Sequence, residues 1–272
     1  MGIPAVGPKD RVAEYFDRDA ASYDASYAGA IRDFRSSILQ TRRAHVLGLL
    51  DRQPGRVLDA GSGPGVFTAG LLDRGAECWL IDHAPAMLRA ARAKFPNDPR
   101  VRLAVADVDA LPFDDGCFDT VLCIGVLQYI PRAERAIGEL TRVTRPGGTL
   151  IVALPNGWSP FNWVHRAVAG AVAALAAGPW RPRRMAPEAE RRLSRRPDIP
   201  NRLSSPRGFV RRCRSHGLTL QTLGYHGFHP PMAPDWTFPV LGPIGQWSQA
   251  RLAASPFGWL GRDFIAAFSR SR

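Results

Sequence analysis

Residues 56–68 read R-V-L-D-A-G-S-G-P-G-V-F-T, and this stretch narrows the fold more than any other. An apolar run containing one acid, Asp59, is followed by three glycines at alternate positions, Gly61, Gly63 and Gly65. A helix pattern then begins. Glycines directly after a strand let the backbone approach a ligand closely and turn sharply into a helix whose N-terminus faces that ligand. The stretch predicts the first strand, ligand loop and helix of a larger alternating array.

Periodicity extends the array along the chain. Helices are predicted over 36–50, 66–74, 85–94 and 132–143, and strands over 56–60, 77–81, 101–106, 117–124 and 149–154. Pro146-Gly147-Gly148 reads as the turn that enters the fifth strand. Strands alternating with helices imply right-handed crossovers and a parallel sheet covered on both faces. Ser204-Ser205-Pro206 caps a further helix that stops at Gly217, and strands follow over 218–225 and 263–269. The fold class is therefore α/β: a doubly wound, seven-stranded Rossmann-like sheet with a helical N-terminal cap and insertions near the C-terminus. The expected organisation is a cap over 1–50, a cofactor-binding core over 51–154, and a basic and apolar insertion over 155–205. Residues 206–272 would hold the last helix and the terminal strands, with an aromatic, proline-rich insertion.

The ligand loop itself carries chemical information. Asp82 ends the second strand, where an acid can accept hydrogen bonds from a ribose diol. Two nucleoside cofactors suit that crevice. A nicotinamide dinucleotide needs a pyrophosphate cradle, usually spaced G-x-G-x-x-G. Here the spacing is G-x-G-x-G with Asp59 ahead of it, and a carboxylate aimed into the loop opposes a pyrophosphate while suiting a cation. S-adenosylmethionine carries an ammonium, a sulfonium and a ribose, and no phosphate.

V-L-D-A-G-S-G-P-G at 57–65 resembles the first motif of the class I S-adenosylmethionine-dependent methyltransferases, and further stretches resemble that family in order. They are I-D-H-A-P-A-M-L at 81–88, A-D-V-D-A-L-P-F-D-D-G-C-F-D-T-V-L-C at 106–123, I-G-V-L-Q-Y-I at 124–130 and R-P-G-G-T-L-I-V at 145–152. Y-F-D-R-D-A-A-S-Y-D at 15–24 resembles the N-terminal helix of the ubiquinone/menaquinone-biosynthesis-like, small-molecule branch. The resemblance implies S-adenosyl-L-methionine as cofactor and S-adenosyl-L-homocysteine as product. It implies that Asp59, Gly61 and Gly63 hold the methionine moiety and Asp82 the ribose. Met87 would pack near the adenine, Asp107 would accept from its amino group beside Val108, and Ile124 would offer backbone to the methionine end. Tyr15 and Tyr23 would close a lid. The rival functions are a nicotinamide-dependent oxidoreductase and a methyltransferase-fold module that binds without turnover.

Methyl transfer from sulfonium mainly requires alignment, so the fold dictates no catalytic residue. Gln128, Tyr129, His165 and His229 are the candidates near the expected mouth. The sequence I-G-V-L-Q-Y replaces the N-P-P-Y type of motif that stacks a flipped base, which argues against a nucleic-acid substrate. The acceptor is expected to be a small molecule or lipid-like, with O-methylation ahead of C- or N-. Its selection falls to the additions at 155–205 and 227–261, rich in Trp, Phe, Pro and Arg. Of the formal net charge of +12, Arg181–Arg214 alone holds twelve arginines against three acids. Such a patch suits a nucleic acid, an anionic membrane surface, an acidic substrate or a solvated connector. Phe161–Trp180 is apolar yet too interrupted to span a bilayer; a helix over the active site or at an interface is expected. Met1–Asp10 has no apolar leader pattern, so the expected location is cytoplasmic, with peripheral contact at the inner membrane face as an alternative. Cys78, Cys117, Cys123 and Cys213 lack ligand spacing and read as free thiols, with no metal site.

Overall fold

A computed structural model of the chain describes residues 7–27, 29–177, 201–228, 237–253 and 255–271. The chain runs α1 (Pro8–Ala25), α2 (Phe34–Gly48), β1 (Arg56–Ala60), α3 (Thr68–Leu72), β2 (Glu77–Asp82), α4 (Pro85–Lys94), β3 (Val101–Val105) and β4 (Phe118–Ile124). A 3-10 turn at Leu127–Tyr129 leads to α5 (Ala133–Val143), β5 (Thr144–Pro155) and α6 (Pro160–Ala177). Then come α7 (Pro206–Ser215), β6 (Leu218–His226), α8 (Phe238–Leu252) and β7 (Asp263–Arg270).

The seven strands form one sheet in the order β3-β2-β1-β4-β5-β7-β6. The first five are parallel, as alternating strand and helix require. The sheet is mixed rather than parallel throughout, because β7 runs antiparallel to both β5 and β6. The reason lies in the connector. Pro155 pairs with Asp263 and His226 pairs with Asp263, so β5 and β6 end at the sheet edge where β7 begins. A connector that stays at that edge returns the chain in the opposite direction.

Helix α4 joins β2 to β3 and α5 joins β4 to β5, and the helices cover two faces. One core cluster gathers Leu88 and Ala91 of α4 with Leu39 and Val46 of α2 against Val57, Leu80 and Ile151. The other gathers Ile137 and Leu140 of α5 with Phe209 and Cys213 of α7 against Phe118, Phe264 and Phe268. The expected cap over 1–50 thus divides: α2 is a layer of the core, and α1 lies apart on α4 through Ala20, Met87 and Phe16. All four cysteines are free, and Cys78, Cys123 and Cys213 are buried. Burial raises the thiol pKa of Cys78 and Cys213 to about 12.

Two expected local structures differ. The P-G-G stretch is inside β5: Phe118 pairs with Thr144 and Thr120 with Thr149, so the extra residues bulge out with Gly147 at φ +74°. The first glycine-loop helix is short, five residues, because the turn through Gly65 consumes its expected first part. The proline-rich stretch after 229 contains a 15-residue helix, α8, that tolerates Pro243 in its interior.

Candidate functional site

The C-terminal ends of β1, β2 and β4 open onto a cleft of about 750 Å³ of empty space, roofed by α1. Its floor is the glycine loop. Gly61, Gly63 and Gly65 all have positive φ, which L-residues rarely adopt. At Gly61 there is a second reason for glycine: a Cβ would sit 2.3 Å from Cγ2 of Val126. At Gly63 a Cβ would touch only Tyr23 and Met87, the cleft walls themselves.

Asp59 lies under this loop, 1% exposed, and neither carboxylate oxygen has a hydrogen-bond partner among the described residues. Burial, assisted by the neighbouring charge of Asp82, pushes its pKa up to about 7. A buried carboxylate without a donor is costly to ionise. Asp59 itself does not line the cleft, whereas Gly61 and Gly63 above it do. Asp82 is differently placed. It lines the cleft, and its carboxylate accepts from the backbone N–H of Gly63 and of Ala84, both at 2.9 Å. Burial raises its pKa against these two bonds. The acid therefore braces the glycine loop while keeping lone pairs toward the cleft.

The adenine-side candidates Met87, Asp107 and Val108 all line the cleft, as does Ile124 beside Gly125 and Val126. Asp107 already has a partner. Lys9, in the first turn of α1, makes ion pairs of 2.6 Å with Asp107 and 2.5 Å with Asp109. Burial opposes the Asp107 charge, but the hydrogen bond from Lys9 holds its pKa below the usual carboxylate range. Lys9 itself lines the cleft. Nothing in its immediate sequence distinguishes it, except that Lys9 and Lys94 are the only lysines among 36 basic residues.

Of the two expected lid tyrosines, Tyr23 lines the cleft and Tyr15 does not; Phe16 takes that place, edge-on to Tyr129 at 5.5 Å. One residue along a helix turns the side chain by 100°, and the sequence motif alone does not fix that rotation. The roof is clasped at both ends and in the middle. Lys94 of α4 bonds Asp24 and, at 2.8 Å, the carbonyl of Pro64, while Asp17 accepts from the N–H of Ala86 at 2.6 Å.

The candidates for the far end of the cleft separate. Tyr129 is a lining residue. Gln128 is buried, and its side-chain Oε1 has no partner among the described residues. His165, on the first turns of α6, has its pKa lowered by burial and by Arg262 and Arg166; its Nδ1 has no partner among the described residues. His229 lies outside the described residues. The sequence reading missed Arg42. From α2 its guanidinium reaches Tyr27 and Tyr23 at 2.5 and 3.3 Å, and a Cβ on Gly125 would lie 3.0 Å from Nη1. Its Nε has no partner among the described residues. Asp263, its pKa raised by burial, adds to the charge field on Arg42 and sits 3.9 Å from Nε2 of the fully buried His226. No sequence spacing links these five segments; the fold does.

Known proteins resemble the chain in both sequence and shape. The methyltransferase-domain family matches residues 58–152. The chain is 31% identical over 188 residues to the ubiquinone/menaquinone biosynthesis C-methyltransferase UbiE of Bordetella avium, covering 62% of this chain and 72% of that one. It is 38% identical over 146 residues to the malonyl-[acyl-carrier protein] O-methyltransferase of Halorhodospira halophila, covering 52% and 47%. Among solved structures, magnesium protoporphyrin IX methyltransferase (ChlM) from Synechocystis, with bound S-adenosylhomocysteine, superposes with a TM-score of 0.63. That match has 16% identity and covers 97% of this chain and 100% of the other, so it shows the fold alone. The chain spans about a third to a half of the length of the first three curated relatives it matches.

Proposed function

The chain belongs to the class I S-adenosylmethionine-dependent methyltransferases, and from that membership we propose that it moves the cofactor's methyl group to a small or lipid-like acceptor by in-line displacement. The observation that carries the proposal is Asp59: a buried carboxylate with no donor among the described residues, placed directly before the glycine turn that lines the cleft. The cofactor supplies an electrophilic methyl on sulfur, an ammonium and a ribose. Asp59 with Gly61 and Gly63 holds the ammonium end, and Asp82 the ribose hydroxyls. Met87 and Val108 flank the base, with Asp107 at its edge, and Ile124 gives backbone to the methionine end. Phe16 and Tyr23 cover the bound nucleoside and exclude water.

The acceptor lies beyond Ile124, over Gly125 and beside Tyr129. Gln128 and Arg42 lie behind Gly125, within 3.7 and 3.0 Å of where its Cβ would stand, and each has a buried hydrogen-bonding atom without a partner among the described residues. A hydroxyl, as in an alcohol or phenol, can donate to Gln128 Oε1 and accept from Arg42 Nε; a carboxylate answers Arg42 alone. This favours an oxygen acceptor over carbon or nitrogen; the similar proteins include both O- and C-methyltransferases. Orientation of nucleophile, methyl and sulfur contributes about 7–11 kcal/mol in well-aligned reactions. The chain's work here is alignment. A base is required only for a proton of high pKa, and His165, its pKa lowered by burial and by Arg262 and Arg166, is the candidate for that role.

Calorimetry tests the reading. S-adenosylhomocysteine should bind and NADH should give no heat. Asp82→Ala should weaken S-adenosylhomocysteine by about 1.5–3 kcal/mol, the usual worth of charge-assisted hydrogen bonds. Binding of NADH without binding of the adenosyl thioether would overturn it and favour an oxidoreductase.

A further inference from the structure

The charge of this chain is sharply divided. Residues 1–155 hold nineteen basic and nineteen acidic side chains, whereas residues 156–262 hold fifteen arginines and four acids. Among the described residues of that second stretch there is no acid at all. The same stretch supplies nearly every large apolar side chain that faces solvent. On α8, Val240, Ile244 and Trp247 are 71%, 53% and 60% exposed, and Arg251 continues the line. Their spacing of four, three and four residues is one helical stripe. The opposite stripe, Phe238, Gly242 and Gly245, is buried, with Phe238 edge-on to Phe34 of α2. Helix α8 thus packs by a narrow seam and turns a second apolar stripe outward. Helix α6 does likewise: Trp163, Val164 and Val168 are exposed, and Arg166 is the one charged side chain on the helix. Trp259 and Phe257, just before β7, add two more exposed rings.

These elements share a location. Helix α6 leaves the end of β5, and α8 lies between the end of β6 and the start of β7, so all spring from one sheet edge. That is the edge at which β1, β2 and β4 meet the glycine-loop cleft. Arginine guanidinium groups lie over two of the exposed indoles: Arg207 over Trp158 at 5.1 Å and Arg251 over Trp247 at 5.5 Å. Indole beside guanidinium, with apolar neighbours and no acid, matches the boundary between headgroups and acyl chains. A protein partner would be expected to meet at least some arginines with its own carboxylates, but would not need the apolar stripes to be so strictly acid-free.

We propose that the face built from α6, α8 and Phe257–Trp259 docks the protein onto an anionic lipid bilayer, with the cofactor cleft opening beside the contact. No described helix is long and apolar enough to cross a membrane, so the contact is peripheral. Exposed apolar side chains enter the interfacial layer while the arginines hold phosphate headgroups. An acceptor dissolved in the bilayer then reaches the cleft without crossing bulk water. The docking rests on the surface alone and stands independently of the methyl-transfer reading.

Sedimentation with phosphatidylcholine vesicles, with and without phosphatidylglycerol, tests it. The protein should pellet with the phosphatidylglycerol vesicles, less so at high salt, and stay in solution with phosphatidylcholine alone. Ile244→Ser with Trp247→Ser, and separately Trp163→Ser with Val164→Ser, should each weaken vesicle binding on the order of tenfold or more, the cost of leaving an indole and an aliphatic chain in water. Val240→Ser, the most exposed position, should weaken it less without disturbing the fold. Binding of S-adenosylhomocysteine should be unchanged in all three variants, and its failure in the wild type would sink the cofactor reading without touching this one. Absence of binding to phosphatidylglycerol vesicles would overturn the proposal. So would unaltered binding by both double variants, which would reduce the effect to arginine charge. A concentration-dependent dimer abolished by the same substitutions, with no vesicle binding, would assign the face to a second copy instead.

Discussion

Asp59 is buried with no donor among the described residues, which costs free energy when it ionises, and its behaviour with pH follows. Its pKa in the fold, about 7, lies above the ordinary carboxylate value. A raised acid favours the folded state while protonated, so this contribution is full below the unfolded pKa and is lost as pH rises through the folded value. An ammonium held at Asp59, as proposed, favours the ionised form, so affinity for S-adenosylhomocysteine should fall as pH drops below 7, with proton release on binding. Asp59→Asn should therefore stabilise the ligand-free protein at pH 8 by on the order of 2 kcal/mol, with little gain at pH 4. It should also weaken S-adenosylhomocysteine binding. Denaturant melts at the two pH values and calorimetry check both; a variant less stable than wild type at pH 8 would refute the account. The residues around Asp59 were readable because motif spacing records backbone shape: glycines mark positive φ and Asp82 marks a strand end. Lys9, Arg42 and Asp263 were not readable, because they meet the site from distant segments through side-chain reach. Tyr15 and Phe16 differ only in which faces the roof, a rotation that packing decides.

Secondary elements were legible where a pattern had one interpretation. Helix α5 shows apolar residues at Ala136, Ile137, Leu140 and Val143, and these are buried. Helix α8 was hidden because proline and glycine mark turns in isolation. Its apolar positions also follow two stripes instead of one, which blurs the period. The loop 111–115 shows how an element can be held without regular structure. Arg142 of α5 donates to the carbonyls of Leu111 and Phe113 and pairs with Asp115 and Glu139, and Glu139 accepts from the N–H of Leu111. One side chain thus pins the L-P-F-D-D turn that follows Asp107 and Asp109. Arg142→Met leaves two carbonyls and two carboxylates short of a donor and should cost about 1–3 kcal/mol. Urea unfolding measures that loss. The same variant should loosen S-adenosylhomocysteine modestly through the turn, while Arg145→Met, at an exposed pair with Asp119, should do neither.

Architecture joins a charge-balanced nucleoside-binding half to a basic, aromatic remainder, and β7 is the seam between them. It bonds β5 on one side and β6 on the other and carries Phe264 and Phe268, both fully buried against Phe209. Phe264→Ala should cost about 3–5 kcal/mol, and near- and far-ultraviolet denaturation curves should shift together, because β6 has no other strand neighbour among the described residues. Separate transitions would show the two parts to be independent. The strand count and the alternating array were legible; the direction of β7 was not, since a strand's own residues do not say from which edge it enters. Both lysines, finally, hold α1: Lys9 near its start to Asp107 and Asp109, and Lys94 near its end to Asp24. The proposed nucleoside site lies beneath that helix, whose Val12, Ala13, Phe16 and Tyr23 line the cleft. Amine-directed acetylation should then act as a clock for the lifting of the roof, adding mass at these two positions only as fast as the helix detaches and stalling once the nucleoside is seated.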